Sequence, residues 1–118
     1  MRERDPGYQA DLAVADRLKD LILRTDGERI SKIILFGSRA RGNARPDSDY
    51  DLLVVMRDLG RTEWNQVEVA LYDAVRGAGV AAEPHLITEE QFEETKEIIG
   101  SLAYPAAKEG VVLYASAG

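Results

Sequence analysis

The sequence predicts an α/β (α+β) fold, a small mixed β-sheet with helices packed on it, and three observations carry that expectation. Two short runs rich in β-branched and aliphatic residues, Lys32–Phe36 and Leu52–Met56, read as strands buried on both faces. Around them lie stretches in which apolar residues return every three or four positions, the period of an amphipathic helix. The pieces follow one another as helix, strand, strand, helix, strand and helix, an order that suits one sheet covered by helices.

From about Tyr8 to Thr25, Leu12, Ala15, Leu18 and Ile22 fall on one helical stripe with charges between them, and Asp26-Gly27 stops the helix. The two apolar strands come next. Thr62 is placed to cap a second helix in which Trp64, Val67, Leu71 and Val75 form the buried stripe, ended by Gly77 and Gly79. A third strand is expected from about Val80 to Ile87. Thr88 and Gln91 have the spacing of a capping box for a helix from about Glu89 to Ile99, which Gly100 interrupts. Ser101–Glu109 reads as one more short helix with Pro105 near its first turn, and Gly110 releases the chain into an apolar piece, Val111–Tyr114, expected as an edge strand or a docked tail.

With 118 residues the chain is read as one domain, 1–118, without room for a second substrate-binding domain. It carries 15 Lys+Arg against 21 Asp+Glu, a formal net charge of −6, so no broad basic surface is expected and general nucleic-acid binding is disfavoured. The absence of cysteine removes disulfides, thiolate nucleophiles and thiolate-held zinc together. No apolar signal region opens the chain and no stretch approaches the roughly 20 apolar residues of a spanning helix, so a soluble cytoplasmic protein without membrane contact is expected.

The densest chemical signal is the run from Gly37 to Asp51, GSRARGNARPDSDYD, which leads straight into LLVV. Gly37 lets backbone approach a phosphate closely, and Ser38 offers a hydroxyl and an amide at the start of a helical turn, with Arg39 and Arg41 adding positive charge. Asp49 and Asp51 are two residues apart at the entrance of a strand, a spacing that sends both carboxylates to one face, where they can share a divalent ion. Asp47, Asp49 and Asp51 imitate the first ligands of a calcium loop, but no glycine follows the third and a buried strand begins instead. A phosphate loop of the Walker type is excluded because no Gly-Lys-Ser/Thr ending is present.

Gly37-Ser38, the ten residues Arg39–Ser48 and Asp49-Tyr50-Asp51 together resemble the GS-x10-D-x-D signature of the DNA polymerase β-like nucleotidyltransferase superfamily. The longer string GSRARG…SDYDLLVV, with KEGVVLY near the end of the chain, is similar to its minimal (MNT) branch. The resemblance implies the polymerase β-like fold, with Asp49 and Asp51 as metal ligands and a third carboxylate from a neighbouring strand. Glu83, the only acid in Val80–Ile87, is the candidate for that role, as ligand and as the group that deprotonates the attacking hydroxyl, although the family more often has aspartate there. It also implies that Gly37, Ser38, Arg41 and Ser48 surround the triphosphate. His85 falls on the same strand face as Glu83 and is read as a packing residue before a catalyst. Trp64, Tyr50 and Tyr72 are assigned no chemistry.

The implied reaction is attack of an acceptor hydroxyl on the α-phosphate of ATP with release of pyrophosphate, assisted by Mg2+, in two ions. Minimal domains of this kind pair with HEPN proteins, often toxic RNases, and neutralise them by adding AMP to a tyrosine, so an antitoxin of a HEPN/MNT pair is the first expectation. Two alternatives stay open: a small-molecule nucleotidyltransferase of the aminoglycoside-modifying kind, and a binding module that neutralises a HEPN partner by contact alone. A homo-oligomer is also left open.

Overall fold

The structure, a computed structural model, describes residues 5–116. Four strands form one sheet: β1 (Ile30–Phe36), β2 (Tyr50–Met56), β3 (Ala82–Thr88) and β4 (Val111–Ala115), in the order β3-β2-β1-β4. β1 pairs antiparallel with both β2 and β4, whereas β2 and β3 run parallel, so the sheet is mixed as expected. The parallel pair requires a crossover, and α3 (Trp64–Arg76) supplies it.

Strand alternation sorts the core onto two faces. Ile33 and Leu35 of β1, Leu52 and Val54 of β2 and Leu86 of β3 pack with Leu18 and Ile22 of α1 (Pro6–Asp26) and with Leu71 and Val75 of α3. Ile34, Phe36, Leu53, Val55 and Ile87 point to the other face, where Phe92 of α4 (Glu89–Thr95) and Ala103 and Ala106 of α5 (Ala103–Glu109) cover them. Each large aliphatic side chain so buried contributes roughly 1.5–3 kcal/mol. The second face is covered by two short helices only. Where β2 and β3 begin, Asp51 and His85 on this face are only half-buried and Glu83 is exposed.

The local signals explain most element ends. Asp5 caps α1 through the Gly7 amide (2.8 Å), and Pro6 occupies the first helical turn, where its missing N–H costs nothing. The Thr88–Gln91 box forms in both directions, at 3.0 and 3.2 Å. Thr62, expected as a cap, instead lies inside a 3-10 turn, Arg61–Glu63; that turn is closed by Glu63, whose carboxylate accepts from the Gly60 amide at 3.0 Å, and α3 begins only at Trp64. The helix expected to reach Ile99 stops at Thr95. There the Thr95 hydroxyl turns back to the Gln91 carbonyl (2.6 Å) and Ser101 takes the Thr95 carbonyl (2.7 Å), which breaks the ladder and returns the chain toward the sheet. Val111–Ala115 is an edge strand. No helix among the described residues is long and apolar enough to cross a membrane.

Candidate active site

β1 ends at Phe36, and the chain enters a turn at Gly37 with φ 78°, a left-handed backbone that suits glycine alone among common residues. Crowding makes the requirement stricter. A Cβ built on Gly37 would lie 2.8 Å from Oδ2 of Asp51. The turn and the strand acid are therefore neighbours, and Ser38 starts the single turn α2 (Ser38–Arg41) beside them.

The sheet register sets the acids. Phe36 stands opposite Asp51, and Asp51 stands opposite Glu83, so one row crosses β1, β2 and β3. The next row on that face runs Ile34, Leu53 and His85. From there the His85 ring leans back, with Nε2 3.2 Å from Asp51 Oδ1 and 3.7 Å from Glu83 Oε2, and it tilts against the Phe36 ring at a centroid distance of 5.4 Å. One ligand atom from each of Asp51, Glu83 and His85 lies within 4.8 Å of the others. Glu83 is the open side of the group, its side chain 48% exposed against 29% for Asp51 and 27% for His85.

Not every expected residue joins this group. Asp49 precedes β2, is exposed and lies outside the cluster. Arg41 is exposed on α2. The Ser48 hydroxyl accepts from the Arg45 amide at 2.9 Å and the Ser48 amide donates to the Arg45 carbonyl at 3.0 Å, so this residue closes the loop before the acids. Arg39 is buried and serves the same loop. It donates to the carbonyls of Pro46 (3.2 Å) and Ser48 (2.8 Å), pairs with Asp11 of α1 at 3.0 Å and lies over the Tyr50 ring. A cleft of about 420 Å³ lined by Arg39, Pro46, Ser48 and Tyr50 adjoins the loop on that side and does not include Asp51 or Glu83.

Sequence reading missed His85 as a member of the cluster. The available signal was its parity with Glu83; the missing one was register, because only the pairing with β2 brings the imidazole within reach of Asp51. The electrostatics agree with an acidic centre. Burial first, and then the charges of Glu83, Glu68 and Asp51, hold the Tyr72 phenol above its ordinary value. A divalent ion with ligand bonds of about 2.0–2.2 Å sets adjacent ligand atoms about 3 Å apart. His85 Nε2 lies 3.2 Å from one carboxylate and 3.7 Å from the other, all three ligand atoms lie within 4.8 Å of one another, and hard carboxylate oxygens suit Mg2+, so the donor set fits a divalent cation.

The model of the nucleotidyltransferase domain family matches residues 15–109. Among solved structures, a candidate nucleotidyltransferase from Sulfolobus solfataricus superposes with a TM-score of 0.64 at 17% identity, over 92% of this chain and 84% of that one. A toxin–antitoxin structure with AMP-PNP gives 0.53 at 19% identity, over 86% of this chain and 74% of that chain. A toxin–antitoxin MntA-HpeT variant carrying two aspartate-to-glutamate substitutions gives 0.52 at 17% identity, with the same coverage of 86% and 74%. At these identities the structural likeness is one of fold. No curated protein matches the sequence. Because the family match runs from within α1 to the end of α5 and encloses both the Gly37 turn and the strand acids, this chain belongs to the nucleotidyltransferase domain family.

Proposed function

We propose that this chain moves AMP from ATP onto a hydroxyl of a partner protein in a Mg2+-dependent reaction, as the antitoxin of a HEPN/MNT pair. The observation that carries the reading is the row in which Asp51 faces Glu83 beside the Gly37 turn. It sets two carboxylates next to a backbone turn that can receive a phosphate. In the reaction the acceptor oxygen bonds to the α-phosphorus, the bond from that phosphorus to the bridging oxygen breaks, and pyrophosphate leaves with the electron pair. Bound Mg2+ supplies neutralisation of the charge that builds on the phosphate oxygens.

The chain's own groups divide the rest of the work. Asp49 and Asp51 hold the ion that accompanies the triphosphate, and the exposed position of Asp49 gives it access to an ion brought in by the nucleotide. The Gly37-Ser38 backbone receives phosphate oxygens, with Arg41 on the outer side of α2 adding charge and Ser48 shaping the loop that presents the acids. Glu83, the most open of the three clustered side chains, contributes a ligand oxygen and takes the proton of the incoming hydroxyl.

The partner enters for a structural reason. The described residues form one sheet with its helices, and no separate acceptor-binding unit stands among them. Solved toxin–antitoxin structures sharing the fold, one of them with the ATP analogue AMP-PNP, support both a protein partner and an adenine nucleotide. The test is to incubate the chain with α-labelled ATP, Mg2+ and a HEPN protein encoded beside it. Label should move onto the partner, and the double substitution Asp49→Asn with Asp51→Asn should abolish transfer. If no partner takes up label while the double variant still neutralises the toxin, the enzymatic reading is wrong and the contact-only module is right.

A further inference from the structure

We propose that Asp51, Glu83 and His85 form a mixed nitrogen–oxygen cation site, with His85 Nε2 as a direct ligand, that takes Mn2+ or Co2+ in preference to Mg2+. The inference rests on the metal-dependent reading of the same centre and refines it. It assigns two positions for ions, one to each oxygen of Asp51. Oδ1 faces the His85 ring at 3.2 Å, whereas Oδ2 faces the Gly37 turn, where a phosphate would lie. A nucleotide-borne ion would take the Oδ2 side, next to the Gly37 turn. The Oδ1 side is closed by Glu83 and His85.

Three features favour coordination over a simple ion pair. The spacings of 3.2 and 3.7 Å lie a few tenths of an ångström above the roughly 3.0 and 3.4 Å that separate ligand atoms around an octahedral or tetrahedral ion with bonds of about 2.1 Å, a gap that a small side-chain shift closes. The ring is also held in place: Phe36 packs against it, and Pro84, fully buried between Glu83 and His85 in the strand, keeps the backbone before it extended, so that both donors leave the strand on one face. Finally, among the described residues His85 is the only basic group in ion-pair distance of either carboxylate, so two acids share one imidazole and a divalent ion would neutralise them. First-row divalent metals accept a nitrogen–oxygen donor set, with affinity rising from Mn2+ to Co2+, while Mg2+ keeps to oxygen donors and water.

The experiment uses the full chain without nucleotide. Mn2+ is titrated and followed by electron paramagnetic resonance, and the bound ion is examined by electron spin-echo modulation for a coupled 14N nucleus. Wild-type protein should bind Mn2+ with the modulation of one imidazole and release it only to a large excess of Mg2+. Loss of an outer-shell partner alone commonly costs about 10–100-fold in metal affinity, so His85→Gln should lose the modulation and weaken Mn2+ binding at least about tenfold, with an unchanged circular dichroism spectrum as the folding check. Bound Mn2+ without 14N modulation in the wild type overturns the inference, and that result needs no variant to fold. AMP transfer in Mg2+ alone separates the two readings. Transfer with no 14N signal removes the imidazole ligand and leaves the transferase standing; a 14N signal with no transfer to any partner keeps the cation site and removes the assigned reaction.

Discussion

Gly37 concentrates more constraint than any other residue of the turn, because backbone sign and space act on it together. Its φ of 78° is costly for a side chain, and a Cβ there meets Asp51 Oδ2. Strain of this kind costs roughly 1–3 kcal/mol. Gly37→Ala should therefore lower the thermal midpoint by about 4 °C per kcal/mol in a domain of this size. The larger effect should fall on ATP binding, since the Asp51 carboxylate has to move; a variant that melts earlier yet binds ATP like the wild type would refute the coupling. At this scale the sequence exposed some residues and hid others. Alternation along β2 put Asp49 and Asp51 on one face, and Glu83 was singled out by the family resemblance as the only acid of its strand; the register then places Glu83 opposite Asp51. His85 stayed hidden, because its role depends on a neighbouring strand that no local pattern specifies. The part Arg39 plays was open in the sequence for a related reason. A triphosphate contact and a loop clamp draw on the same guanidinium, and only the approach of Asp11 from α1 selects the clamp.

Between elements, Arg29 performs a similar service. It follows the last turn of α1, pairs with Asp26 at 2.6 Å, and reaches Glu63 at 2.7 Å, tying the turn before β1 to the turn before α3. The hydrogen bond from Arg29, and then that from the Gly60 amide, lower the Glu63 carboxyl below its ordinary value of 4.5. A depressed carboxyl stabilises the fold above its unfolded value and loses that contribution as pH falls through the lower folded value. The urea midpoint of Glu63→Gln should thus lie below that of the wild type at neutral pH, and the gap should close in acid below 4.5. A gap that persists unchanged in acid would assign the effect to something other than charge. Helix interiors were readable because three- and four-residue spacing survives any context. Their ends were less so: Thr62 has a capping side chain but Glu63 reaches the Gly60 amide instead, and α4 ends where Ser101, six residues on, claims a carbonyl.

For the molecule as a whole, a formal charge of −6 and an acidic cluster at one end of the sheet oppose the approach of a free triphosphate. Like-charge contact of this kind costs several kcal/mol, so ATP affinity should fall roughly 100-fold or more when EDTA is present and return on adding Mg2+, as equilibrium dialysis would show. Equal binding with and without the chelator would place the nucleotide away from the acids. The general architecture was legible because each strand and helix carries its own periodicity. Strand order and direction were not, since they arise from which faces meet. The parallel docking of β3 on β2 also imposes a timetable. Asp51 and Glu83 are paired across 83 − 51 = 32 positions through a helical crossover, and contacts of that span form late, after local structure has made closing the loop affordable. A partly folded chain therefore carries the phosphate turn, Asp49 and Asp51 without Glu83 and His85 to complete the cluster. On refolding, cation capture should trail the appearance of helix and hairpin, which makes the metal a reporter of completed folding.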